Sequence, residues 1–90
     1  MKKRLAAQIT GRVQLVMYRD FACRNARRLN LTGTVENKND GSVEVVAEGE
    51  EENLQQFLLK LKEGSLLSRV DNVSSVWGTP ENSFTNFKIL

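Results

Sequence analysis

The chain reads Gly-Arg-Val-Gln-Leu-Val-Met-Tyr-Arg from Gly11 to Arg19. This stretch follows an alternating apolar run over residues 2–10, which predicts a β-strand, and precedes an apolar stripe over residues 19–29, which predicts an α-helix. The loop and the first turn of such a helix have free N–H groups, and the helix dipole favours negative charge there. Arg19 adds a planar charged group that suits phosphate or carboxylate. The sequence therefore indicates a candidate anion site, although most loops of this kind bind no ligand.

The remaining elements follow from the same kind of periodicity. We expect strands over residues 31–38, 42–48, 70–77 and 83–90, and a second helix from the acidic run at residues 50–52 to a stop at Gly64. Asn39-Asp40-Gly41 predicts a β-hairpin between strands two and three. The order β-α-β-β-α-β with a short C-terminal strand is the ferredoxin-like split βαβ plan, an α+β fold with two helices on one face of an antiparallel sheet. We expect residues 1–90 to form one domain.

The composition excludes several classes of chemistry. The 90 residues carry a net charge of +2 and include one cysteine, Cys23, and no histidine. Ser–His and Cys–His nucleophile systems are therefore excluded, an intrachain disulfide is impossible, and no zinc site is expected. We interpret Cys23 as a packing residue of the first helix. The N-terminal apolar run is short and interrupted by Gln8, so we expect a cytoplasmic protein with neither a signal peptide nor a membrane span.

Asn37 is a second candidate, near the end of strand two and just before the hairpin. Its side-chain amide offers one acceptor and two donors. Asparagine often supports a following turn, but Asn39, Asp40 and Gly41 already provide the turn residues. In the split βαβ plan, strands one and three are neighbours in the middle of the sheet and strand two lies beyond strand three. Spacing alone does not decide whether Asn37 reaches Arg19.

Two motifs give the chain a specific resemblance. It resembles the acylphosphatase family over nearly its whole length. The first motif is similar to the family's Gly-x-Val-Gln-Gly-Val-x-Phe-Arg, and the second to its Gly-aromatic-Val-x-Asn-x-x-x-Gly-x-Val, followed after five positions by Gly. The matching residues are Gly11, Val13, Gln14, Val16, Tyr18 and Arg19 in the first motif, and Gly33, Val35, Asn37, Gly41, Val43 and Gly49 in the second. The tail is similar as well, at Trp77, Phe84, Phe87 and Ile89.

The resemblance implies an enzyme, an acylphosphatase that hydrolyses the carboxyl-phosphate bond of small acyl phosphates to a carboxylate and inorganic phosphate, without metal or cofactor. It implies that Arg19 holds the phosphoryl group and that Asn37 orients the attacking water. The loop residues whose backbone would surround the phosphoryl oxygens are Leu15, Val16, Met17, Tyr18 and Arg19. We expect a monomer, with neither a membrane nor nucleic acid as a partner.

The chain departs from the family's pattern at several positions. Leu15 stands where the family has glycine, which predicts a different loop path or weaker phosphate binding. Thr34 replaces an aromatic residue, and Glu36 replaces a residue that is often basic. One alternative is therefore a non-catalytic ferredoxin-like module that binds an anionic ligand, a protein or RNA. A second alternative is a structural domain whose sheet edge pairs with another chain.

Overall fold

The computed structural model describes residues 1–90 as one five-stranded sheet and two helices. In chain order the elements are β1 (Lys2–Arg12), α1 (Tyr18–Arg28), β2 (Thr32–Asn37), β3 (Val43–Glu50), α2 (Glu51–Glu63), β4 (Arg69–Gly78) and β5 (Phe87–Ile89). The strand order across the sheet is β4-β1-β3-β2-β5. Strands β1 and β3 are therefore neighbours with β2 beyond β3, and the predicted α+β ferredoxin-like plan is confirmed.

The sheet is mixed and not wholly antiparallel. Among themselves, strands β1 to β4 pair only in antiparallel fashion. Strand β5 runs parallel to β2, with Gly33 opposite Phe87 and Val35 opposite Ile89. The prediction of a fifth strand over residues 83–90 is wrong at its start, because only Phe87–Ile89 pair with the sheet. Residues 79–86 carry the chain from β4 at one edge to β5 at the other. A segment that crosses the sheet in this way cannot also pair within it.

One face of the sheet packs against both helices. The buried strand residues of this face are Leu5, Ala7, Ile9, Val35, Val43, Val45, Ala47 and Phe87. Helix α2 buries Leu54, Phe57 and Leu61 against them, as its helical spacing predicts. The packing role expected for Cys23 of α1 is confirmed, since its side chain is buried in the same apolar layer. Neither helix has the length and hydrophobicity that a membrane-spanning helix needs.

The segment of residues 79–86 is anchored to the opposite face of the sheet by Glu48 of β3. The Glu48 carboxylate is 5% exposed and accepts hydrogen bonds from the backbone N–H groups of Glu81 and Asn82, at 2.9 and 3.0 Å. Arg4 of β1 donates to the same carboxylate at 2.6 Å. Burial raises the pKa of Glu48, but these hydrogen bonds outweigh burial and leave the pKa below its ordinary value. The anchor therefore uses a charged carboxylate, and it fixes the chain that leads into β5.

Two further features set the position of the loop between β1 and α1. The register of β1 against β4 shifts between Thr10 and Gly11, where the backbone takes a φ of 125°. A Cβ atom on Gly11 would overlap the carbonyl oxygen of Arg69, so glycine is required at this position. At the other end of α1, Arg27 donates two hydrogen bonds to the carbonyl oxygen of Phe87, at 2.9 and 3.2 Å. Helix α1 is thereby tied to β5.

Candidate active site

The loop of residues 13–17, which we call the phosphate loop, joins β1 to α1 with an unusual backbone. Leu15 and Met17 both have a φ of 61°, in the left-handed region that residues with a side chain rarely adopt. Such strain costs on the order of 1 kcal/mol or more per residue and occurs most often at functional sites. Leu15 thus takes the conformation that glycine adopts at low cost. Its side chain is 99% exposed and adds apolar surface to the loop without packing in the core.

The backbone N–H groups of the phosphate loop have no acceptor within the protein. Leu15, Val16 and Met17 donate no hydrogen bond, and α1 has no side-chain cap at its start. The first bond of the helix runs from the N–H of Phe21 to the carbonyl oxygen of Met17, at 3.1 Å. Successive N–H groups in a turn that includes left-handed residues form a concavity that binds anions. The loop therefore offers a row of free donors beside the positive end of the α1 dipole.

Arg19 lies in the first turn of α1, and its side chain reaches the chain just beyond β5. Its Nη1 atom donates to the carbonyl oxygen of Leu90 at 2.9 Å. Arg19 pairs with no side-chain carboxylate, and the neighbouring carboxylate of Asp20 pairs with Arg24 at 2.9 Å. A guanidinium has five N–H donors, so most of those of Arg19 remain free. The structure thus places a guanidinium with free N–H donors at the end of the phosphate loop.

Asn37 is the last residue of β2, and its Oδ1 atom is buried without a hydrogen-bond partner. Leaving a buried polar atom unpaired costs about 1–3 kcal/mol, so such an atom in a native structure needs an explanation. The hairpin turn does not use Asn37. Asp40 holds the turn instead, with its Oδ1 atom accepting hydrogen bonds from the N–H and the hydroxyl of Ser42 at 2.9 and 2.6 Å. No protein group therefore uses the Oδ1 atom of Asn37.

Gln14 joins the phosphate loop to the hairpin that follows Asn37. Its Nε2 atom donates to the carbonyl oxygens of Lys38 and Ser42, at 2.8 and 2.9 Å. One side chain thus brings the loop that precedes Arg19 against the end of β2. Gln14 belongs to the first motif, but nothing in its local spacing predicts this bridge, since its acceptors lie 24 and 28 residues away.

Two residues predicted to bind phosphate can do so only through the backbone. Tyr18 is buried, and its hydroxyl donates to the carbonyl oxygen of Leu61 at 2.7 Å. Burial raises the pKa of Tyr18 above its ordinary value, so the phenol stays protonated. Val16 is buried in the core as well. The side chains of both residues fix the loop from below, while their N–H groups face no protein acceptor.

A pocket of about 320 Å³, which we call the loop pocket, lies beside the phosphate loop and the start of α1. Five of its seven lining residues are hydrophobic. Leu15, Met17 and Ile89 supply apolar surface, and Arg19 and Asp20 supply the charged groups. The structure therefore brings the predicted residues Leu15, Met17, Tyr18 and Arg19 together around one pocket, whereas Val16 does not line it. Asn37 is not part of the lining of this pocket and is connected to the loop through Gln14.

Comparison with known proteins identifies the family. The sequence model of the acylphosphatase family matches residues 5–89. An acylphosphatase of Thermus thermophilus is 53% identical over 75 residues, which cover 83% of this chain and 85% of the relative. An acylphosphatase of Salinibacter ruber is 42% identical over 88 residues, which cover 98% of this chain and 93% of the relative. The crystal structure of acylphosphatase from Bacillus subtilis has a TM-score of 0.94 at 35% identity and covers 98% of both chains.

These matches agree with what the residues predict. The resemblance expected from the two motifs is confirmed, and so is the prediction of a hydrolytic enzyme of this type. The matched range includes both candidate residues, Arg19 and Asn37. On the combined evidence of motifs, fold and relatives, the chain belongs to the acylphosphatase family.

Proposed function

We propose that residues 1–90 act as one metal-independent acylphosphatase domain, in which Arg19 binds the phosphoryl group and Asn37 orients the attacking water. The observation that carries this proposal is the row of unpaired N–H groups at Leu15, Val16 and Met17 beside the free guanidinium donors of Arg19. Phosphoryl transfer asks little covalent chemistry of the protein. It requires that the phosphoryl group is held, that its charge is stabilised, and that the nucleophile is placed in line.

The phosphoryl oxygens accept hydrogen bonds from the phosphate loop and from Arg19. Donors that are fixed before the reaction stabilise developing charge without reorganising, and the loss of one such donor lowers the rate by about 10²–10³-fold. The guanidinium adds charge-assisted bonds to the phosphoryl group. Its hydrogen bond to Leu90 supports this role, because it holds the Arg19 side chain in place where that residue lines the loop pocket.

Asn37 supplies the acceptor that positions the water. Its unpartnered Oδ1 atom accepts a hydrogen bond from the water, which turns the water oxygen toward phosphorus. The water oxygen forms a bond to phosphorus, the bond from phosphorus to the bridging oxygen breaks, and the bridging oxygen leaves as a carboxylate. The protons of the water go to the phosphate product and to solvent. A carboxylate leaves readily, so a chain without histidine can support this reaction.

The proposal also covers the surroundings of the reaction. We place the domain in the cytoplasm as a monomer that acts on small acyl phosphates, without a cofactor or a nucleic-acid partner. A net charge of +2 gives little electrostatic attraction to nucleic acid. Light scattering during gel filtration tests the monomer against the chain mass of 10.2 kDa.

Hydrolysis of benzoyl phosphate in the presence of EDTA tests the proposal. We expect rapid turnover by the wild type and a loss of about 10³-fold in kcat/KM in Arg19→Ala, because a guanidinium that stabilises phosphoryl charge has an effect of this size. Arg24→Ala is the matched control, since it removes an exposed guanidinium from the same helix, and it should stay within about twofold of wild type. A folded wild type without turnover would overturn the proposal and favour the non-catalytic anion-binding alternative.

A further inference from the structure

We propose that the acyl group of the substrate binds in the loop pocket and that this pocket selects apolar, uncharged acyl groups. The inference rests on the proposed function, because it needs the phosphoryl group to be held at Arg19. It narrows the substrate class to acyl phosphates with an aromatic or aliphatic acyl group, and it disfavours those whose acyl group carries a second carboxylate or phosphate.

Leu15 and Met17 are the first support for this inference. Their side chains are 99% and 69% exposed, and both stand on a backbone with a φ of 61°. Exposed apolar side chains add little to the stability of the fold, and the left-handed backbone lowers it. The stability of the fold therefore gains nothing from these exposed apolar side chains or from the left-handed backbone beneath them. Apolar surface at the mouth of a charged site is surface that an apolar part of the ligand can cover.

The second support is the size and position of the loop pocket. Its volume of about 320 Å³ lies at the low end of the range of about 300–1,000 Å³ that is typical of small-molecule sites. It suits a small acyl group and not a large cofactor. Ile89 of β5 lines the pocket, and the next residue, Leu90, accepts the hydrogen bond from Arg19. The same piece of chain thus places apolar surface next to the guanidinium, where the acyl carbon follows the bound phosphoryl group.

The third support is the charge at the pocket. Asp20 is the only acidic residue among those that line it, and Arg19 is the only basic one. When the phosphoryl group occupies Arg19, the lining of the pocket has no further basic residue for a second anionic group, and Arg24, which lies outside the lining, is paired with Asp20 at 2.9 Å. A second anionic group on the substrate would then lie near a like charge. The charge and the apolar surface of the loop pocket therefore both favour substrates with an apolar, uncharged acyl group.

A protein partner is the competing occupant of this surface. Met17 also lines a neighbouring groove with Phe21, Leu66 and Leu67, and Leu66 is almost fully exposed. We favour the acyl group because the loop pocket includes Arg19, whereas the neighbouring groove does not. Leu66 therefore provides a matched control, since it is an exposed apolar residue close to Met17 but outside the loop pocket.

The test measures kcat/KM for benzoyl, acetyl and succinyl phosphate. We expect Met17→Gln to lower the ratio of the benzoyl phosphate value to the acetyl phosphate value about tenfold, because glutamine keeps the length of the side chain but not its apolar character. Leu15→Asn should act in the same direction, since asparagine tolerates the left-handed backbone. Asp20→Asn should raise the value for succinyl phosphate about fivefold. Leu66→Gln should behave as the wild type with all three substrates.

Several outcomes would overturn the inference. One is a Met17→Gln variant that changes benzoyl and acetyl phosphate hydrolysis equally. Another is a Leu66→Gln variant that loses as much kcat/KM for benzoyl phosphate as Met17→Gln does. A third is self-association of the protein that depends on its concentration and that the Met17 and Leu66 variants both abolish. Failure of the proposed function looks different, because the folded wild type would then hydrolyse none of the three substrates.

Discussion

The hairpin turn of residues 38–42 and the phosphate loop of residues 13–17 lie side by side, and they treat their backbone in opposite ways. In the hairpin, Gly41 takes the positive φ of 91°, as a residue without a side chain can do at low cost. Asp40 accepts two hydrogen bonds from Ser42, so the polar groups of the turn pair with each other. The hairpin follows the local rules of turn chemistry, and it is complete without a ligand.

The phosphate loop departs from the same rules. Leu15 and Met17 take positive φ values with side chains attached, and their N–H groups remain without acceptors. A turn that pairs all its own polar groups has none to offer to a ligand, whereas a turn that leaves them free can bind an anion. Local strain and unpaired donors at one place therefore indicate the site, and the neighbouring hairpin shows what the chain does where no ligand is needed.

Among the changes that test this comparison, removing the side-chain amide of Asn37 is expected to have the largest effect on catalysis. Asn37→Ala should lower kcat for benzoyl phosphate by about 100-fold, because misplacing a reacting group by about 1 Å has an effect of this order. Inhibition by inorganic phosphate should change less than about threefold, since Arg19 and the loop remain. Asn39→Ala in the turn is the control and should match the wild type. An unchanged kcat in Asn37→Ala would remove this residue from the mechanism.

Removing the hydrogen bonds between the phosphate loop and the hairpin is expected to have a smaller effect on catalysis. Gln14→Ala removes both hydrogen bonds from the loop to the hairpin and should lower kcat/KM about tenfold, because each such bond contributes about 1 kcal/mol. Gln8→Ala is the matched control, as Gln8 also donates to the hairpin, at the Ser42 hydroxyl, but lies in β1. If Gln8→Ala loses as much activity as Gln14→Ala, the bridge only stabilises the fold. Thermal unfolding of both variants accompanies the kinetics.

Placing glycine at the strained position of the phosphate loop and alanine at the glycine of the hairpin should change the free energy of unfolding in opposite directions. Leu15→Gly relieves strain at an exposed position and should raise the free energy of unfolding by about 0.5–1 kcal/mol, after allowance for the greater unfolded-state freedom of glycine. Gly41→Ala should lower it by about 1 kcal/mol through the backbone alone, because a Cβ atom there meets no neighbour. Urea denaturation measures both changes. A Leu15→Gly variant that is less stable than the wild type would contradict the strain assigned to the loop.

The smallest expected effect concerns the charge in the hairpin. The hydroxyl and then the N–H of Ser42 donate to Asp40 and hold the pKa of that carboxyl below its ordinary value of 3.8. A lowered folded-state pKa stabilises the protein above the unfolded-state pKa, and this contribution is lost as the pH falls toward the folded-state value. The wild type should therefore lose stability below about pH 4 slightly more steeply than Asp40→Asn. Thermal unfolding at a series of acid pH values measures the two slopes, and equal slopes would contradict the prediction.

The regular elements could be predicted because their signals are local. Leu54, Phe57 and Leu61 follow the helical period, and they are buried together in α2. The Asp40-Gly41 pair predicts the hairpin by turn chemistry alone. Six of the seven elements begin and end within one or two residues of their predicted bounds. The positions of Arg19 at a helix start and of Asn37 at a strand end make both residues candidates, and the resemblance to the family implies their roles.

The remaining features depend on contacts between distant parts of the chain. The shortening of β5 follows from the anchor of Glu48 on residues 81 and 82, more than thirty positions later. The bridge of Gln14 and the bond from Arg19 to Leu90 likewise join segments that no sequence window contains together. Leu15 shows a second limit, because the identity of this residue does not predict the left-handed backbone that the structure has there. Strain held by surrounding structure has no signal in the residue itself.

The hydrogen bond between Arg19 and Leu90 has a consequence for how activity arises during synthesis. The two residues are separated by 71 positions, so Arg19 leaves the ribosome long before its partner is made. The phosphate loop, α1 and the hairpin all come from the first half of the chain. The guanidinium nevertheless lacks this acceptor until β5 has paired with β2. The onset of catalysis in a nascent or refolding chain would therefore report the docking of β5, the step that also adds Phe87 to the hydrophobic core.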